Sequence, residues 1–167
     1  IHPDVACLVP ERREEVSTEG GLSVVGNETR LADAARRLHD AGIVVSLFID
    51  PSEEQIRASR EIGADAIELH TGEYANTQDD GQEAQLIRLR QMAELGNGLG
   101  LKINAGHGLT YQNVSPVSRI PEIVELNIGH SIIARSIYVG LQAAVAEMRA
   151  LMDRARMDTR LGTSSDD

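Results

Sequence analysis

Five short runs rich in Val, Ile and Leu, at residues 5–9, 43–49, 66–69, 101–105 and 123–128, alternate with longer stretches of helical periodicity. This alternation constrains the fold more than any other feature. The runs begin at positions 5, 43, 66, 101 and 123, so each consecutive pair is separated by enough chain for a crossover helix. That rhythm predicts βαβ units and a parallel sheet. Asn27 is placed to cap a helix carrying Leu31, Ala34, Ala35, Leu38 and Ala41, with Gly42 as its stop. Ser52 with Gln55 has the capping-box pattern for a helix that Gly63 ends. Asp79 or Asp80 opens a longer helix that closes in the glycine-rich 96–100 stretch, and Leu141, Val145, Met148, Leu151 and Met152 mark one face of a last helix. No Pro, Gly and Ser linker divides the chain, so residues 1–157 are expected to form one domain portion and 158–167 a disordered, polar tail.

Three segments share a pattern at the ends of the last three runs: ELHTGE at 68–73, KINAGH at 102–107 and ELNIGH at 125–130. Side chains alternate across a strand, so Glu68 with His70, Lys102 with Asn104, and Glu125 with Asn127 each share a face. A helix-covered parallel strand is normally apolar on both faces. Unpaired charges there would cost several kcal/mol each by the usual desolvation penalty, about 3–5, so the strands are expected to present these groups to one another or to a polar ligand. The shared interior of a (β/α)8 (TIM) barrel offers such a space, and its active site lies at the C-terminal strand ends. Phosphate is often held there by the loops after the last two strands and a short helix N-terminus. Here those loops carry Gly106-His107-Gly108 and Gly129-His130, with a short helical stretch from Ser131 to Tyr138.

Composition removes other classes. Sixteen Lys and Arg against 26 Asp and Glu give a net charge of −10, and only 2% of residues are aromatic. Neither a basic field nor stacking platforms for nucleic acid are present. No apolar stretch reaches the roughly 20 residues of a bilayer span. The single Cys7 forms no internal disulfide, fits a reducing compartment, and is expected to be a small buried thiol in its apolar run.

His107, flanked by glycines at a strand end, suits a proton donor, since imidazole titrates near neutrality. Glu68 is either a partner of Lys102 or a carboxylate that steadies a cationic intermediate. Lys102 is expected to be structural; the rival is a Schiff-base aldolase with Lys102 as nucleophile. His70 is expected in the core or behind the site. The loop EVSTEGG at 15–21 is a substrate-binding loop or a polar connection, and spacing does not decide between them.

Six motifs, CLVPE at 7–11, EVSTEGGL at 15–22, VSLFID at 45–50, IELHTG at 67–72, NAGHGLTY at 104–111 and ELNIGH at 125–130, together resemble the pyridoxine 5'-phosphate synthase family from Ile1 to about Met157. The resemblance implies a (β/α)8 barrel with extra helices, a homo-octamer in the cytoplasm, and no metal or organic cofactor. It implies condensation of 1-deoxy-D-xylulose 5-phosphate with 3-amino-2-oxopropyl phosphate to pyridoxine 5'-phosphate, phosphate and water, in vitamin B6 biosynthesis. By the family's pattern His107 is the proton donor and Glu68 stabilises the transition state. Gly108, Gly129 and His130 bind substrate phosphate, and Ser17 stands where the family commonly has a substrate-binding Thr. The family's catalytic histidine and glutamate on earlier strands have no counterpart here. The five strands are therefore expected to be the fourth to eighth of the barrel, and a chain of this extent to be inactive alone, an inert half-barrel or phosphate-binding module.

Overall fold

The computed structural model describes residues 2–10 and 20–162. Five parallel strands, β1 (Val5–Leu8), β2 (Val44–Ile49), β3 (Ala66–His70), β4 (Lys102–Gly106) and β5 (Ile123–Asn127), form one sheet in sequential order. A doubly wound sheet reverses its strand order part way across. This one does not, and its order is that of a partial (β/α)8 barrel.

Helices α1 (Glu28–Asp40), α2 (Glu53–Glu61), α3 (Gly72–Asn76) and α4 (Asp79–Gly98) connect the first four strands; α5 (Val114–Ser118), α6 (His130–Val139) and α7 (Leu141–Gly162) complete the chain. Leu31, Ile56, Leu86, Leu89 and Ala93 from the helices join Leu47, Ile49, Ile67, Leu69, Ile103 and Ala105 from the strands in one buried core. The strand register places those strand residues on a single face. The opposite face carries Cys7, Phe48, Glu68, His70, Asn104, Glu125 and Asn127, with a bulge between β4 and β5 keeping Asn104 opposite Glu125. Alternation thus sends apolar side chains to the helices and the polar ones, with Phe48, to the concave side.

Local details explain the elements. Ser52 caps α2 by accepting the Gln55 N–H at 3.4 Å, but Gln55 does not reciprocate: its side-chain oxygen accepts the Val24 N–H at 2.7 Å and ties down the approach to α1. Asn27 sits at the α1 N-cap without capping it; its side chain donates to the Ser23 carbonyl at 3.0 Å, while Glu28 accepts the Gly26 N–H at 2.9 Å. The expected tail is helical from Asp158 to Gly162, because nothing in that stretch breaks a helix before the glycine. The last helix buries Ala144, Met148 and Ala155, whereas Leu141 and Val145 stay exposed. Of the expected face only Met148 is fully buried, while Leu151 and Met152 are half-buried. Cys7 is exposed on the concave face, not buried, because its register partner Ser46 puts it on the parity of Glu68.

Candidate active site

All strands run the same way, so the turns after β2 to β5 gather at one edge of the sheet. There an open concavity of about 1000 Å³ is lined by Glu68, His107, Gly108, Gly129 and His130, with Phe48, Asn127 and Ser131 among its other walls. Five of the six residues singled out from sequence therefore meet in one space. Ser17 lies outside the described residues.

Glu68 projects from the middle of β3 and is half-buried. Its Oε2 accepts the Asn127 Nδ2–H at 2.9 Å. Burial pushes its carboxyl above the ordinary glutamate value; the Asn127 hydrogen bond opposes this, and the Glu125 charge adds to it. Lys102 pairs with Glu125 at 3.2 Å and not with Glu68, because Lys102 occupies the first position of β4, one step below Asn104, which faces Glu68. Asn104 also donates to Glu125, at 3.3 Å. Lys102 does not line the concavity, which leaves an aldolase nucleophile there without access. The packing between Glu68 and β4 is close: a Cβ at Gly106 would lie 2.2 Å from Glu68 Oε1.

His107 follows β4 with φ +81, a left-handed conformation that costs a non-glycine residue about 1–2 kcal/mol. Its ring centroid lies 4.8 Å from that of His70 and 6.4 Å from Phe48. His70 is buried behind it, 7% exposed, with Nδ1 3.1 Å from Asp50 Oδ1. Asp50 Oδ1 in turn accepts the Gly21 N–H at 2.9 Å, so the same carboxylate anchors the end of the first βα loop. Its ring stays within the protein, as sequence position on β3 suggested.

Gly129 precedes α6, and His130 and Ser131 begin it. The first N–H groups of a helix have no partner within it and, with the helix dipole, favour an anion. Gly108 needs to be glycine for the fold: its φ is +74 and a Cβ would strike Ala75 at 2.6 Å. Gly129 is different, since its φ is −108 and an added Cβ meets nothing within 4 Å. Its glycine leaves open space beside the backbone at the rim of the concavity.

Asp50, Thr71 and Asn127 were not singled out from sequence as site residues. Asn127 had a signal in the ELNIGH repeat, where its shared face with Glu125 was legible. The other two make contacts between elements distant in sequence. Among the described residues no group of three or more His, Cys, Asp and Glu is arranged to hold a metal ion, and no helix is long and apolar enough to cross a membrane.

The chain is 56% identical over 157 residues to a pyridoxine 5'-phosphate synthase of Magnetococcus marinus, covering 92% of this chain and 63% of that protein. Among solved structures, a chain of the BexX/CysO complex of Amycolatopsis orientalis superposes with a TM-score of 0.57 at 16% identity, covering 81% of this chain and 52% of the other. The YdjI aldolase of Escherichia coli gives 0.54 at 12% identity, with 95% and 59% covered. Those two likenesses show the fold alone. The family model described as pyridoxal phosphate biosynthesis protein PdxJ matches residues 1–154, and the chain belongs to that family.

Proposed function

We propose that the protein is a pyridoxine 5'-phosphate synthase, condensing 1-deoxy-D-xylulose 5-phosphate with 3-amino-2-oxopropyl phosphate and releasing phosphate and water. The observation that carries this is the meeting of Glu68, His107, Gly108, Gly129 and His130 around one concavity. A carboxylate and an imidazole face a rim rich in backbone N–H groups, which suits acid/base chemistry on phosphorylated substrates. In this reading the free N–H groups at the start of α6, with His130 and Gly108, hold a substrate phosphate. Amine and ketone condense through imine and enol intermediates, and His107 donates a proton to the departing oxygen. Glu68 has no ion-pair partner among the described residues, so its carboxylate is available to a cationic intermediate. Ser17 would supply a hydroxyl to substrate.

The chain spans 63% of the length of the Magnetococcus marinus relative, so groups beyond these 167 residues would complete the acid/base set. From the same family resemblance we infer a homo-octamer and a cytoplasmic location. Ile133, Ile137, Tyr138 and Leu141 present an exposed apolar surface that suits an assembling protein, and sedimentation of the full encoded protein tests it.

The deciding experiment is ring formation by the full encoded protein and by its His107→Asn variant. Asparagine tolerates the left-handed backbone at this position, so the fold should survive. Turnover is expected to fall about 100-fold or more, with an unchanged circular dichroism spectrum. Turnover equal to the parent protein would remove His107 from the mechanism, and absence of ring formation by the parent would refute the assignment.

A further inference from the structure

We propose that Thr71 is a positioning residue that fixes the backbone from which His107 enters the site. This rests on the reading of His107 as the proton donor. His107 and Gly108 are consecutive left-handed residues, with φ of +81 and +74. Such a conformation at a histidine persists only where the surroundings over-determine it. Thr71, the residue after β3, is fully buried beneath this turn. Its N–H donates to the Gly106 carbonyl at 2.8 Å. Its hydroxyl faces two carbonyl oxygens, Gly106 O at 2.7 Å and His107 O at 2.5 Å. A hydroxyl carries one proton, and here two acceptor oxygens converge on one hydroxyl.

Replacing the hydroxyl by a methyl would leave two carbonyl oxygens facing each other and a hydrocarbon surface. The Gly106 oxygen keeps the Thr71 N–H, so the His107 peptide is the unit that turns away. Farther along, the loop is held separately: Asn113 Nδ2–H donates to the Gly108 carbonyl at 3.3 Å, and the Ser131 hydroxyl to the Leu109 carbonyl at 2.9 Å. The disturbance should therefore stay local to residue 107. On the ring side, His70 lies against His107, and Gly72 makes room, since a Cβ there would lie 2.6 Å from His70 Nε2 and 3.3 Å from His107 Cδ2. Histidine, threonine and glycine of IELHTG thus act on one imidazole from below: ring, hydroxyl and vacancy.

The test compares Thr71→Val, close in shape but without the hydroxyl, with Thr71→Ser, in the full encoded protein. Thr71→Val is expected to lower kcat roughly 10- to 100-fold, the penalty typical of a misplaced catalytic group, with KM for both substrates little changed. Thr71→Ser is expected to recover most of that loss. A Val variant that turns over like the parent, or a Ser variant as impaired as the Val variant, overturns the proposal. Amide hydrogen exchange on the same three proteins gives a reading independent of chemistry. Faster exchange in the Val variant confined to residues 106–109 supports the role, and unchanged exchange there overturns it. If the parent protein forms no ring, the functional assignment fails while exchange still decides the role of Thr71.

Discussion

Glu68 illustrates how one side chain carries two costs. Its carboxyl sits on a strand face where Lys102 is committed to Glu125 and Asn127 to Glu68 itself. Burial raises its folded pKa, so the folded protein binds this proton more tightly than the unfolded chain. The associated stability is full below the unfolded value near 4.5 and is lost as pH rises through the folded pKa. At neutral pH the ionised group therefore disfavours the fold. Glu68→Gln keeps an oxygen for Asn127 and removes the charge; its thermal midpoint is expected to exceed the parent's at pH 7, with the difference closing below about pH 4.5. A midpoint below the parent's at pH 7 would show that the charge is matched by a cation. The conflict itself is a functional sign, since a stabilising substitution at a site is commonly a costly one for activity.

At the scale of elements, the turns after β3, β4 and β5 matter more than the helices. Gly108→Ala combines a left-handed φ with a Cβ 2.6 Å from Ala75. It is expected to destabilise by about 1–3 kcal/mol through strain of this kind, read by denaturant unfolding. Gly129→Ala meets neither obstacle and is expected to leave stability within about 0.5 kcal/mol, while weakening phosphate-bearing substrates if the backbone there is their seat. Ser52→Ala removes a cap that is present in the structure and should cost about 1 kcal/mol. Asn27→Ala should cost less than this, because Asn27 does not cap α1. Residue type marked both as N-caps, but only Ser52 has the extended φ and ψ of −134 and 143 that aim the side chain at the helix.

At the scale of the molecule, the core of the described residues lies between the sheet and its helices, and the concave side carries the polar side chains. Leu47→Ala, at a fully buried position of β2, is expected to cost about 2–5 kcal/mol. Ile137→Ala, at a residue 79% exposed on α6, should change stability by less than about 0.5 kcal/mol. A reversal of that order would place the core on the wrong side of the sheet. Period and punctuation in the chain sufficed to determine strand count, parallel βα alternation, the helix stops at Gly42 and Gly63, and the histidines and glycines that end the last strands, because these follow from local backbone preference and side-chain parity. Only the tertiary structure decided that Lys102 serves Glu125, that Cys7 faces the concavity, that Ala144 and Ala155 turn inward on α7 and that the Thr71 hydroxyl meets the His107 carbonyl. Those outcomes depend on register between strands and on contacts across dozens of residues, and neither register nor contact is written in any local stretch of sequence.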